Sequence, residues 1–233
     1  VTAPSRVWSL ATSTHGRVLV DGPGEAGVFV VCHGYAQTAD EAIAAARRIP
    51  GIGRWLIVAP QALHRFYTRG HDRVVASWMT RQDRDEAIAD NVGYLDAVVA
   101  RAIEESGRRP AGGRTAVPIV FAGFSQGASM AYRAARLGRH GAAGLVALAG
   151  DIPPEVKAHR IAAGGRPWPP VLIGVGSAEE WYAGDRLAAD LAWLDEQRIG
   201  YEVARFEGGH EWTDAFCSGV GRWLESRSFS TNS

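Results

Sequence analysis

Short apolar runs alternate along the chain with longer stretches in which apolar residues recur every third or fourth position. The short runs, rich in Val, Ile, Leu and Phe, predict strands over residues 17–21, 27–32, 55–58, 118–122, 144–148, 171–175 and 201–206. The longer stretches predict helices. Thr38 and Glu41 form a capping box ahead of Ile43, Ala46 and Ile49, and Ile88, Val92, Leu95 and Val99 make one apolar stripe that ends near Gly107. A third helix spans Gln126–Leu137 and closes at Gly138. Leu187, Leu191 and Leu194 mark a fourth helix, and Phe216, Val220 and Trp223 a fifth. Strands that alternate with helices in this way predict an α/β fold with a mostly parallel central sheet and helices on both faces.

The first two strands flank Gly22-Pro23-Gly24-Glu25-Ala26-Gly27, which spells the dinucleotide fingerprint G-x-G-x-x-G. That fingerprint works only where it opens a helix whose N-terminus faces a pyrophosphate. A strand follows here, so these glycines predict the turn of an N-terminal antiparallel hairpin. No linker or internal repeat divides the sequence, and the expectation is a single domain over 1–233. Residues 1–16 form an N-terminal extension and 227–233 a frayed polar tail.

Composition narrows the function classes. A chain of 233 residues with 46% hydrophobic content can bury a substantial core. Acidic and basic residues balance at 25 each, and no run of like charge stands out, which argues against a nucleic-acid partner. Cys32 and Cys217 are the only cysteines; with no metal-ligand spacing between them, they read as two buried thiols. No stretch approaches the ~20 apolar residues of a membrane span, so no integral membrane association is expected. The first 25 residues lack the apolar core of a signal peptide. A cytoplasmic location is the expectation, with a removed leader left open by a chain that begins at Val1.

Candidate chemistry centres on Gly123-Phe124-Ser125-Gln126-Gly127, which matches G-x-S-x-G between a predicted strand and a predicted helix. Such a sequence makes a sharp turn that lifts a serine hydroxyl above the sheet edge. With 28 glycines in the chain the five letters also arise by chance, so their setting between strand and helix decides. A serine needs a base, and the base needs a carboxylate to fix its tautomer. His210, in FEGGHEW after the last strand, has the late position the base requires, whereas His15, His64, His71, His140 and His159 do not. For the acid, Glu179 and Glu180 compete in GSAEEWY after the preceding strand, and Asp151 is a third candidate one strand earlier. The tetrahedral intermediate needs two backbone N–H donors, expected from Gln126 and from Tyr35 in the loop CHGYAQ. His33 in that loop is expected to brace it through hydrogen bonds. Phe66, Tyr67, Trp78, Trp181, Tyr182 and Trp212 fall in predicted loops and are candidates to line an apolar pocket.

In order, HGYAQT, SWMT, FAGFSQGASMA, GSAEEWY and FEGGHEW resemble the phospholipase/carboxylesterase family of α/β-hydrolases, which includes acyl-protein thioesterases. The resemblance spans about residues 27–226. It implies an α/β-hydrolase fold and a serine esterase that acts on small-molecule esters with no cofactor and no metal. It carries Ser125, His210 and, in place of the family's usual aspartate, Glu179 into the catalytic roles, with Tyr35 and Gln126 as oxyanion donors. HGYAQ departs from the HGLGD-like loop of the eukaryotic thioesterases. The expected function is a carboxylesterase for short-chain or aryl esters. A thioesterase or lysophospholipase with the same triad and a catalytically idle ligand-binding protein are the alternatives, and a homo-oligomer is compatible with either.

Overall fold

The computed structural model describes residues 6–107, 117–159 and 166–227; the outermost residues of the predicted N-terminal extension and the polar tail from 228 onward lie outside them. Seven strands form the main sheet: β1 (Val18–Asp21), β2 (Gly27–Cys32), β3 (Trp55–Pro60), β6 (Ile119–Phe124), β7 (Gly144–Leu148), β8 (Val171–Gly176) and β9 (Tyr201–Phe206). Their order is β1-β3-β2-β6-β7-β8-β9, and every neighbouring pair is parallel except β1 with β3. A separate antiparallel pair, β4 (His64–Tyr67) and β5 (Val74–Ser77), stands beside it.

Alternate residues of the central strands feed two cores. Val28, Val30 and Cys32 of β2 join one cluster, while Phe29 and Val31 join the other. Helices α2 (Arg84–Glu105), α3 (Gln126–Leu137), α4 (Pro154–Ala158) and α5 (Asp185–Glu196) cover the first face through residues such as Leu95, Val99, Met130, Val156 and Leu194. On the opposite face α1 (Ala39–Arg47) and α6 (Asp214–Glu225) contribute Ile43, Phe216, Val220 and Trp223. The capping box at α1 is present: the Thr38 hydroxyl accepts from Glu41 N–H at 3.2 Å, and Glu41 accepts from Thr38 N–H at 2.8 Å. Cys32 and Cys217 are free, buried thiols, and burial pushes both above the usual thiol range.

The N-terminal antiparallel strand exists, but its pairing corrects the hairpin expectation: β1 runs against β3, and β2 lies on the far side of β3. Burial explains the choice. All six residues of β3 are buried, so it needs a neighbour on each side, whereas the half-exposed β1 suits an edge. Gly138 also differs from the expected left-handed cap. Its φ is −73°, and its value lies in a backbone approach to Ala134 O that a Cβ would obstruct.

Candidate active site

The chain turns from β6 into α3 at Ser125, whose φ of 54° and ψ of −120° lie in a region that residues with a Cβ seldom occupy. Two glycines make the turn possible. A Cβ on Gly123 would collide with the Gly127 carbonyl, and one on Gly127 would collide with the carbonyls of Cys32 and His33. The serine is held from the sheet side by its N–H, which donates to Leu148 O at 2.8 Å. The start of α3 is thereby pressed onto the carboxyl end of β2.

Glu179 and His210 come from loops that follow β8 and β9. These loops continue the strand pairing: Ser177 N–H donates to Phe206 O and Ala178 N–H to Gly208 O, both at 2.8 Å. His210 Nδ1 lies 2.9 Å from each oxygen of Glu179. The carboxylate has no side-chain exposure, and its Oε1 also accepts from the N–H groups of Trp181 at 2.8 Å and Tyr182 at 3.1 Å. Burial opposes its charge. The donors at Tyr182, His210 and Trp181 outweigh that effect together and hold the carboxyl below its ordinary range. A carboxylate on Nδ1 favours a proton there and leaves Nε2 as the acceptor. The imidazole packs on Phe124, with ring centroids 4.7 Å apart, and so reaches the turn that carries Ser125. The other acid candidates stand elsewhere. Glu180 is exposed, and Asp151 accepts from Ser129 Oγ at 3.3 Å.

The loop after β2 is braced on several sides. His33 is buried, with Nδ1 2.7 Å from Gly34 O, while Nε2 accepts from Ala62 N–H at 3.0 Å. Nδ1 is therefore the protonated nitrogen, and burial lowers the pKa of the ring, which keeps it neutral. Gly34 N–H donates to Gln37 Oε1 at 2.8 Å and Ala36 N–H to Ala76 O at 3.0 Å, whereas Tyr35 N–H, between them, donates to no described residue. The Gln126 side chain reaches across to the segment after β5: Oε1 accepts from Trp78 N–H at 2.9 Å and Nε2 donates to Met79 O at 3.1 Å.

The six aromatic candidates divide. Tyr35 is 60% exposed and stacks on the half-buried Phe66 at 5.7 Å, and Trp181 is 69% exposed. Tyr67 is exposed against His71, and Trp212 packs on Phe216 of α6. Trp78 and Tyr182 correct the pocket expectation. Their exposures are 0% and 2%, too little to touch a ligand, and their polar atoms are already engaged: Trp78 Nε1 donates to His33 O at 2.8 Å and Tyr182 OH to Asp190 at 2.9 Å. Phe124 is the contact the sequence did not single out, although its place beside the serine is a signal for it. Among the described residues no group of three or more His, Cys, Asp or Glu side chains is placed to hold a metal ion, and no helix is long and apolar enough to cross a membrane.

Comparison with known proteins agrees with this architecture. Residues 15–166 match the family model described as phospholipase/carboxylesterase. Among solved structures, esterase PE8 is 22% identical, with 91% of this chain and 97% of that chain covered at a TM-score of 0.66. A carboxylesterase from Mesorhizobium loti is 20% identical over 87% of this chain and 90% of its own, also at 0.66. SOBER1 of Arabidopsis thaliana is 16% identical over 85% and 98%, again at 0.66. No curated protein sequence matches. With the α/β-hydrolase architecture in place and the family model matched over more than half its length, the chain belongs to the phospholipase/carboxylesterase family and is a carboxylic ester hydrolase.

Proposed function

We propose that the protein is a serine carboxylesterase in which Ser125 is the nucleophile, His210 the general base and Glu179 the carboxylate that orients it. The geometry that carries this is the Glu179–His210 pair, with both carboxylate oxygens 2.9 Å from Nδ1 and the ring against the residue that precedes the strained serine. Ser125 Oγ attacks the ester carbonyl carbon while its proton passes to His210 Nε2, and the carbonyl π pair moves onto oxygen. Tyr35 N–H and Gln126 N–H receive that oxyanion. Collapse breaks the bond to the alcohol oxygen, which takes the proton from His210 and leaves as the alcohol. Water then repeats the sequence on the acyl-enzyme: it gives a proton to His210, forms a second tetrahedral adduct and releases the carboxylic acid and Ser125.

The Tyr35–Phe66 stack borders the proposed oxyanion donor, and Trp181 borders the acid. Exposed aromatic faces there support small aryl or short-chain acyl esters as substrates. The test is a fluorophosphonate probe followed by peptide mass analysis, run beside hydrolysis of 4-nitrophenyl acetate. Modification is expected on Ser125 with loss of hydrolysis in the same proportion. Modification at another residue, or full hydrolysis after Ser125 is modified, overturns the assignment. A series of nitrophenyl esters with longer acyl chains then reads the substrate range.

A further inference from the structure

We infer that Trp78, a residue with no accessible surface, is a positioning residue that fixes the distance between the two oxyanion donors. This rests on the serine esterase reading above and adds to it a residue that touches neither substrate nor the reacting atoms.

The two donors sit on different elements. Tyr35 N–H belongs to the loop after β2, and Gln126 N–H to the first turn of α3. The elements approach closely at Gly127, whose backbone lies against the carbonyls of Cys32 and His33, and the strands that lead into them pair as far as Cys32 and Gly123. Beyond Cys32 the loop leaves the strand pairing, so its orientation toward α3 rests on packing and on side-chain bonds. Trp78 connects the loop itself to α3 from one buried side chain and its own peptide unit. Its indole Nε1–H donates to His33 O at 2.8 Å, two residues before Tyr35. Its backbone N–H donates to Gln126 Oε1 at 2.9 Å. Its carbonyl accepts from Asn91 Nδ2 at 2.8 Å, which ties the unit to α2. The indole also lies on the His33 ring at a centroid distance of 5.2 Å.

The neighbours of Trp78 strengthen the link. Ala36 N–H donates to Ala76 O and Ala76 N–H to Gln37 O, both at 3.0 Å, so β5 grips the same loop two residues before Trp78. On the other side Gln126 Nε2 bonds Ser77 Oγ at 3.2 Å and Met79 O at 3.1 Å. The segment from Ala76 to Met79 is thus fastened to both donor-bearing elements, and the indole N–H is the one side-chain bond that reaches the His33 carbonyl from it. Donors stabilise an oxyanion only when held where the oxygen will be, without reorganisation during the reaction. Loss of the indole bond loosens the loop at His33 O and spreads the positions of Tyr35 N–H. It leaves the surfaces that contact the ground-state ester in place.

The test uses Trp78→Phe, which keeps an aromatic ring on His33 and deletes the N–H donor, and Gln126→Met, which removes the side-chain bonds while its backbone N–H remains. Both are compared with the parent for 4-nitrophenyl acetate kinetics, thermal unfolding and inhibition by a boronic acid, whose tetrahedral adduct places an oxygen between the donors. Each folded variant is expected to lose about 10- to 100-fold in kcat, below the effect of deleting a donor outright, with KM within about twofold. The boronate inhibition constant should rise in step with kcat/KM, and the double variant should lose less than the product of the two single losses. Should Trp78→Phe fail to fold, the same signature in Gln126→Met carries the test. Parental kcat in a folded variant, or a fall in kcat with boronate affinity unchanged, overturns the positioning role. A parent protein that neither reacts with fluorophosphonate at Ser125 nor hydrolyses the ester overturns the underlying esterase reading, and this role with it.

Discussion

The serine end and the acid end of the proposed site are held by different forces. At the turn from β6 to α3, backbone presses on backbone: the positions of Gly123 and Gly127 admit no Cβ, and Ser125 is forced into a strained conformation. At the loops after β8 and β9, hydrogen bonds do the holding. Glu179 accepts from two backbone N–H groups and faces the imidazole with both oxygens. Excluded volume has no tolerance, because a methyl group either fits or does not. A set of hydrogen bonds on a loop can shift together by a fraction of an ångström and re-form. On this account the serine turn requires its glycines, while the proposed acid end has room for a carboxylate on the longer glutamate side chain.

Breaking the serine end should have the largest effect. Ser125→Ala removes the attacking hydroxyl but retains a Cβ of the same size, so folding should survive. Its kcat is expected to fall by about 10⁴-fold or more in a nitrophenyl ester assay. Retention of a tenth of the parental rate would place the nucleophile elsewhere. At the acid end Glu179→Gln keeps the shape and presents an amide to Nδ1, which favours the tautomer that aims a proton at Ser125. A kcat loss of about 10²-fold or more is expected. Glu179→Asp should fall between parent and Gln, because the loop can re-form its bonds around a shorter carboxylate. If the aspartate variant is as crippled as the glutamine one, the acid end is as unforgiving as the serine end.

The same difference governs what could be read from the sequence. Steric requirements appear as residue types at fixed spacings, so the G-F-S-Q-G turn, the capped α1 and the buried parallel strands were legible. Chain order singles out His210 and the resemblance singles out Glu179, and the structure brings these two side chains together. Three features were not legible. The pairing of β1 with β3 depends on which buried strand lacks a neighbour, which no local pattern records. β4 and β5 lie in a stretch of mixed polarity, HRFY to VVAS, whose alternation is too short to stand out. Without that hairpin, the sequence presents Trp78 as a loop aromatic available to substrate. Its burial follows from β5 docking on the loop after β2, through Ala36, Gln37 and Ala76.

Acid should separate the two ends by pH. His33, beside the oxyanion loop, has a lowered pKa because burial disfavours its charged form. The unfolded chain takes up a proton as pH falls through 6.5 and the folded one does so only lower, so stability is lost in that interval and levels off below the folded value. Glu179 has a folded pKa below its ordinary 4.5, so its contribution is complete above 4.5 and disappears as pH falls through the lowered value. Urea unfolding across pH should give His33→Gln a flatter curve than the parent just below 6.5, and Glu179→Gln a flatter curve below 4.5. Curves parallel to the parent in these windows would mean that neither group titrates as the geometry requires.

The smallest effects are expected at the two carboxylates that competed with Glu179. Glu180 follows it directly in the chain, yet the turn that buries one carboxylate exposes the next, and a solvated charge there is worth at most ~1 kcal/mol. Asp151 follows β7, nearer to the elbow, but its carboxylate accepts from Ser129 Oγ on α3, and Ser129 also reaches the Asp151 carbonyl at 3.1 Å. Its charge is spent on the edge of the helix, away from the Nδ1 that Glu179 already occupies with two oxygens. Glu180→Gln should therefore stay within about twofold of the parental kcat/KM, and Asp151→Asn within about tenfold, since the latter perturbs the first turns of α3. A loss of 10²-fold in either, matched by an indifferent Glu179→Gln, would move the acid to that residue. Indifference of all three would leave Ser125 and His210 to work as a pair, with the hydrogen bonds around Glu179 serving only to close the loop.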